Sequence, residues 1–130
     1  MLRFCFVIIV SIPYIILLYA KSAYMDKHDD KYTEEQRYQF AKLIVGKIMQ
    51  HSFIKTEVYG EDNLPEKGGY VMYSNHQGKY DMVGIMYGHD NPCTVVMDEV
   101  RSNIPIMKPF LAVIKGSTLD RNDMRSQALT

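Results

Sequence analysis

The stretch GEDNLPEKGGYVMYSNHQGKYD, from Gly60 to Asp81, decides how the chain is read. Its first ten residues, Gly60 to Gly69, are dense in turn formers, and Pro65 fixes one backbone angle, so they form a loop. Tyr70-Val71-Met72-Tyr73 then carries a buried-strand signal, and a helical pattern occupies Asp81 to Tyr87. Between strand and helix stand Asn75 and His76, and His76 precedes Asp81 by five positions. An aspartate in the first turn of such a helix can reach back to one ring nitrogen. It would fix the tautomer and stabilise the imidazolium formed when the other nitrogen takes a proton. That is a histidine arranged as a general base. No serine or cysteine stands in a nucleophile-elbow pattern, so the base is expected to activate a hydroxyl of a bound substrate. The alternative is a structural His–Asp pair.

Outward from this stretch, strands and helices alternate. Thr56 to Tyr59 reads as a strand, Gly88 to Pro92 as a break, Thr94 to Met97 as a strand, Ile104 to Ala112 as a short helix, and Ile114 to Leu119 as a further strand. Upstream, Thr33-Glu34-Glu35-Gln36 has the spacing of a capping box, which starts a helix. In that helix Phe40, Leu43, Ile44, Lys47, Ile48 and His51 mark one face, with Glu35, Arg37 and Lys42 mostly elsewhere. The expected fold is α/β, a partly parallel sheet flanked by helices. Strands 70–73 and 94–97 are expected to leave an unpaired edge.

At the N-terminus, residues 4–20, FCFVIIVSIPYIILLYA, carry no charge. As a helix these 17 residues would extend roughly 25 Å, slightly short of a hydrocarbon core of about 30 Å. Bulky Leu17, Leu18 and Tyr19 argue against the small-residue end of a cleaved signal, so residues 1–24 read as a retained membrane anchor and residues 25–130 as the body. Residues 21–32 read as a polar linker. Pro13 would kink the anchor or bend it back. Arg3 and Lys21 flank both ends of the run, and the added charge of Lys27 and Lys31 downstream places the body on the cytoplasmic side.

Composition excludes other classes. The 130 residues balance 15 basic against 15 acidic side chains, so nothing overall favours a nucleic acid, and 47 % hydrophobic residues exclude wholesale disorder. Mean hydropathy is only −0.18 despite the apolar head, which makes the body markedly polar. Two cysteines, Cys5 and Cys93, form no disulfide framework and no metal spacing. His28 reads as solvated, His51 as a partner of its helix C-terminus, and His89 as part of a turn. Gly68-Gly69 lacks the context of a phosphate loop.

With these residues in place, the chain from about 33 to 130 resembles the glycerolipid acyltransferase family, specifically the 1-acylglycerol-3-phosphate acyltransferases. The resemblance rests on Asn75, His76 and Asp81 and on the entry Gly60, Asn63, Leu64, Pro65. It rests also on Lys115-Gly116-Ser117-Thr118-Leu119-Asp120-Arg121, similar to the family's second motif. It implies His76 as general base, Asp81 as its orienting partner, and Arg121 holding the acceptor's phosphate, with Lys115, Gly116 and Asn75 lining the same site. The implied reaction moves a fatty acyl group from an acyl thioester, on coenzyme A or acyl carrier protein, to lysophosphatidic acid, giving phosphatidic acid. No metal and no other cofactor is implied. The family's third motif, Glu-Gly-Thr-Arg, does not occur in these 130 residues. The expectation is therefore an acyltransferase domain truncated after the second motif and inactive as it stands. The competing reading is a non-catalytic, membrane-anchored fragment that binds lipid or a partner.

Overall fold

The computed structural model describes residues 2–75, 81–120 and 122–123. Helix α1 (Leu2–Lys27) turns through a short 3-10 segment, Asp29–Lys31, into α2 (Glu34–His51). The two run antiparallel: Phe6 stacks near Phe53, and the rings of Tyr14 and His51 lie 5.3 Å apart. After a long irregular segment come α3 (Asp81–Gly88), β1 (Val96–Asp98), the single turn α4 (Glu99–Ser102), α5 (Met107–Ile114) and β2 (Ser117–Leu119). β1 and β2 pair in parallel, Val96 opposite Ser117 and Asp98 opposite Leu119.

The body is thus mostly helical, with a two-stranded parallel sheet among the described residues. The expected order of break, strand, short helix and strand after α3 is present, with shifted boundaries. Two expected strands are not: 56–59 and 70–73 are irregular. Val71 is 74 % and Tyr73 93 % exposed. Neither segment has a neighbouring strand among the described residues, and strand preference expresses itself only through pairing and burial. Strand β1, by contrast, has β2 along one edge.

The capping box is present in full. The Gln36 amide donates to Thr33 Oγ1 at 3.2 Å, and the Thr33 amide donates to Gln36 Oε1 at 3.1 Å. The buried face of α2 is rotated from the expected one: Arg37, Tyr38, Ala41, Ile44, Val45 and Met49 are buried, whereas Leu43 is half exposed. Ala41, fully buried, lets neighbouring elements approach closely, and the large ring of Tyr38 fills the core beside it.

Residues 21–27, expected as linker, continue α1, because Ser22 and Met25 fall on the same face as Ser11 and Leu18 and are buried with them. That face packs against α2 and α5. Ile9, Ile12 and Ile16 on the opposite face are exposed. The helix runs through Pro13 without a break, and Cys5–Lys27 is long and apolar enough to cross a bilayer. Both cysteines are free.

Candidate active site

Two neighbouring residues of α2 organise the rest of the body. Tyr38 holds α3: its hydroxyl donates to the carbonyl of His89 at 2.7 Å, lies 3.3 Å from that of Met86, and accepts from the Cys93 thiol at 3.5 Å. Burial, then the hydrogen bond from Cys93, pushes the phenol far above its ordinary value, so it remains protonated. One turn later Lys42 Nζ donates to the same His89 carbonyl at 3.1 Å and to Asp90 Oδ1 at 2.6 Å. That hydrogen bond holds the Asp90 carboxyl below the usual carboxylate range. The C-terminal end of α3 is therefore fixed, and with it the helix whose first residue is Asp81. Asp81 is partly buried, at the helix end that favours a carboxylate.

His89 is buried rather than an idle turn residue. Its Nδ1 lies 2.7 Å from the Asn91 carbonyl, which can only accept, so Nδ1 carries the proton. In the neutral ring Nε2 then accepts from the Tyr70 hydroxyl at 2.6 Å. Tyr70 opens the segment that leads to Asn75, and Asn75 itself is exposed.

Arg37 anchors the other arm. Expected on the polar side, it is 3 % exposed. Its Nη2 donates to the Met25 carbonyl at 2.8 Å and pairs with Asp29, whose other carboxylate oxygen accepts from Lys115 Nζ at 3.0 Å. The Lys115 hydrogen bond, partly opposed by desolvation and joined by the charges of Lys115 and Arg37, holds the Asp29 carboxyl below its ordinary value. Lys115 ends α5 in a left-handed conformation, φ 51°. Gly116 follows, its amide donating to the Leu111 carbonyl at 2.8 Å. A Cβ there would stand 2.5 Å from Leu111 Cδ2 and 3.1 Å from the Val95 carbonyl oxygen, so any side chain would force Leu111 to shift.

Among the expected site residues, Asp81 begins α3, Asn75 is the last described residue before it, and Lys115 and Gly116 lead into β2. His76 and Arg121 lie outside the described residues. Lys115 stands at the amino end of β2, while Asp120 follows its carboxyl end and accepts from the Asn122 amide at 2.8 Å. A strand of three residues separates the two ends, roughly 10 Å at about 3.3 Å per residue. Open parallel sheets place ligands at the carboxyl ends of their strands. Here those ends carry Asp98, which caps α4 through the Val100 amide at 3.0 Å, and Asp120.

A cleft of about 280 Å³ lies between the two arms, lined by Arg37, Tyr38, Cys93, Thr94 and Lys115 among others. It opens at the amino ends of the strands, and of the expected site residues that are described only Lys115 lines it. Among the described residues no group of three His, Cys, Asp or Glu side chains is arranged to hold a metal ion.

The acyltransferase family model matches residues 55–130, more than half of the chain, and the chain belongs to that family. Its general activity is accordingly acyl transfer between a donor and an acceptor. The match begins just after α2, so the α1–α2 hairpin precedes it. No curated protein and no solved structure matches the chain.

Proposed function

We propose that the chain carries the catalytic half-site of a 1-acylglycerol-3-phosphate acyltransferase, with α1 in the membrane and the body on its cytoplasmic side. His76 removes the proton from the free hydroxyl of lysophosphatidic acid, and the oxygen attacks the carbonyl of an acyl thioester on coenzyme A or acyl carrier protein. The carbon–sulfur bond breaks, the ester forms, and the proton on His76 passes to the departing thiolate. Asp81 orients the imidazole and stabilises its charged form. Arg121 holds the acceptor phosphate through its planar fork of donors. Asn75, Lys115 and Gly116 complete the surroundings, Lys115 and Gly116 by fixing the start of β2.

The observation that carries this reading is Asp81 at the first turn of a helix, five residues after His76, within the matched family region. Supporting it, the far end of that helix is tied to the body through Tyr38, Lys42 and the His89 carbonyl. The test is incubation of the full-length protein with a labelled acyl thioester and lysophosphatidic acid or lysophosphatidylcholine. Labelled phosphatidic acid is expected. Label appearing only in phosphatidylcholine, or in no lipid, contradicts the acceptor assignment.

A further inference from the structure

A second cleft, of about 250 Å³, opens between α1 and α5 and has no residue in common with the first or with the expected catalytic set. Tyr19, Ser22 and Asp26 line it from α1, and Lys108, Pro109 and Ala112 from α5. Tyr19 is fixed there by its hydroxyl, which donates to the Pro105 carbonyl, and Ser22 satisfies its own hydroxyl on the Tyr19 carbonyl at 3.0 Å. That leaves two charged groups, the Asp26 carboxylate and the Lys108 ammonium, both exposed. They are of opposite sign and line one small cleft, yet neither makes a side-chain hydrogen bond or ion pair among the described residues. A guest that brings one charge of each sign would satisfy both.

Depth along α1 points to what that guest is. The uncharged run ends at Ala20, and Tyr19 is the residue type enriched where hydrocarbon meets the polar layer. From Tyr19 to Asp26 the helix rises roughly 10 Å at about 1.5 Å per residue. The polar layer on each side of a bilayer is about 5–8 Å thick, from about 40–45 Å overall and about 30 Å of hydrocarbon. With the apolar run in the hydrocarbon, the cleft spans the headgroup layer from its inner to its outer edge, Asp26 lying at the outer edge.

We propose that the α1–α5 cleft binds the zwitterionic headgroup of a host phospholipid, its phosphate against Lys108 and its ammonium against Asp26. This rests on α1 entering the bilayer and is independent of acyl transfer. The lysophosphatidic acid headgroup, which has a phosphate and no amine, leaves Asp26 unmatched, so the site distinguishes host lipid from acceptor. Its consequence is to set the height and rotation of α1 in the leaflet.

The test is flotation of the full chain with vesicles of phosphatidylcholine or of phosphatidylglycerol, beside Asp26→Asn, Lys108→Gln and Ala112→Phe. The last fills the cleft without changing charge. The wild-type chain is expected to favour phosphatidylcholine. Each variant should bind phosphatidylcholine about fivefold less well, the scale of losing one net hydrogen-bonded headgroup contact. Circular dichroism reports whether each variant keeps its helices, and the cleft-filling variant keeps the test decisive if a charge variant does not fold. Equal binding to both vesicles, or variants that bind phosphatidylcholine like the wild type, would overturn the site while leaving the anchor intact. Preference for phosphatidylglycerol would mark a simple cationic surface and overturn the assignment. Binding to neither vesicle would overturn the site together with the anchoring of α1.

Discussion

The Tyr70 hydroxyl meets Nε2 of His89 at 2.6 Å, joining the start of the Asn75 segment to the far end of the helix that begins with Asp81. Residues 71–75 are exposed and belong to no strand. For that segment the contact does what strand pairing was expected to do.

Tyr70→Phe removes the donor and leaves a buried ring nitrogen without its partner, which costs about 1–3 kcal/mol. Urea denaturation is expected to show a loss of that size, and hydrogen exchange should show faster exchange across residues 70–75. An unchanged midpoint with unchanged exchange would mean that the segment is held some other way.

Asp29 joins Arg37 and Lys115 and is held below its ordinary 3.8 in the folded chain. Folding therefore favours the carboxylate. The stabilisation is fully present above the ordinary value and is lost as pH falls through the lower folded one. Stability measured by urea midpoints from about pH 7 to about pH 3 should fall on the acid side, and Asp29→Asn should flatten that limb. Parallel acid limbs in wild type and variant would show that Asp29 gains nothing on folding.

Gly116→Ala forces a methyl group to 2.5 Å from Leu111 Cδ2, and Leu111 is itself buried. Overpacking of this kind costs about 1–3 kcal/mol. The melting temperature should drop by several degrees, since about 1 kcal/mol shifts a domain of this size by roughly 4 °C. An unchanged melting temperature would show that Leu111 moves aside freely.

What was legible in the sequence was local. The Thr33–Gln36 box fixed the start of α2 because both partners lie within one turn, and Asp81 marked the start of α3. The parallel pairing of β1 and β2 followed from the helix between them. The buried face of α2 was not legible, because Arg37 is a burial site only once Asp29 and the Met25 carbonyl pair with its Nη2. Lys115 and Asp29 meet across 86 positions, and Tyr70 and His89 across 19, distances at which no periodicity operates. Residues 21–27 looked like linker because their polarity is visible in sequence and the packing of Ser22 and Met25 is not. The strand signals at 56–59 and 70–73 are real preferences with no strand to pair with among the described residues. His76 and Arg121, the residues on which the chemistry was placed, lie outside the described residues, so their roles rest on the matched family region and on Asp81.

The most direct measurement is the rate of acyl transfer to lysophosphatidic acid by the full-length protein and its His76→Ala variant at equal membrane association. Loss of a general base lowers the rate by about 10²- to 10⁴-fold, and that drop is the expected result. A variant that keeps its rate within about tenfold would contradict the assignment of His76 as the base.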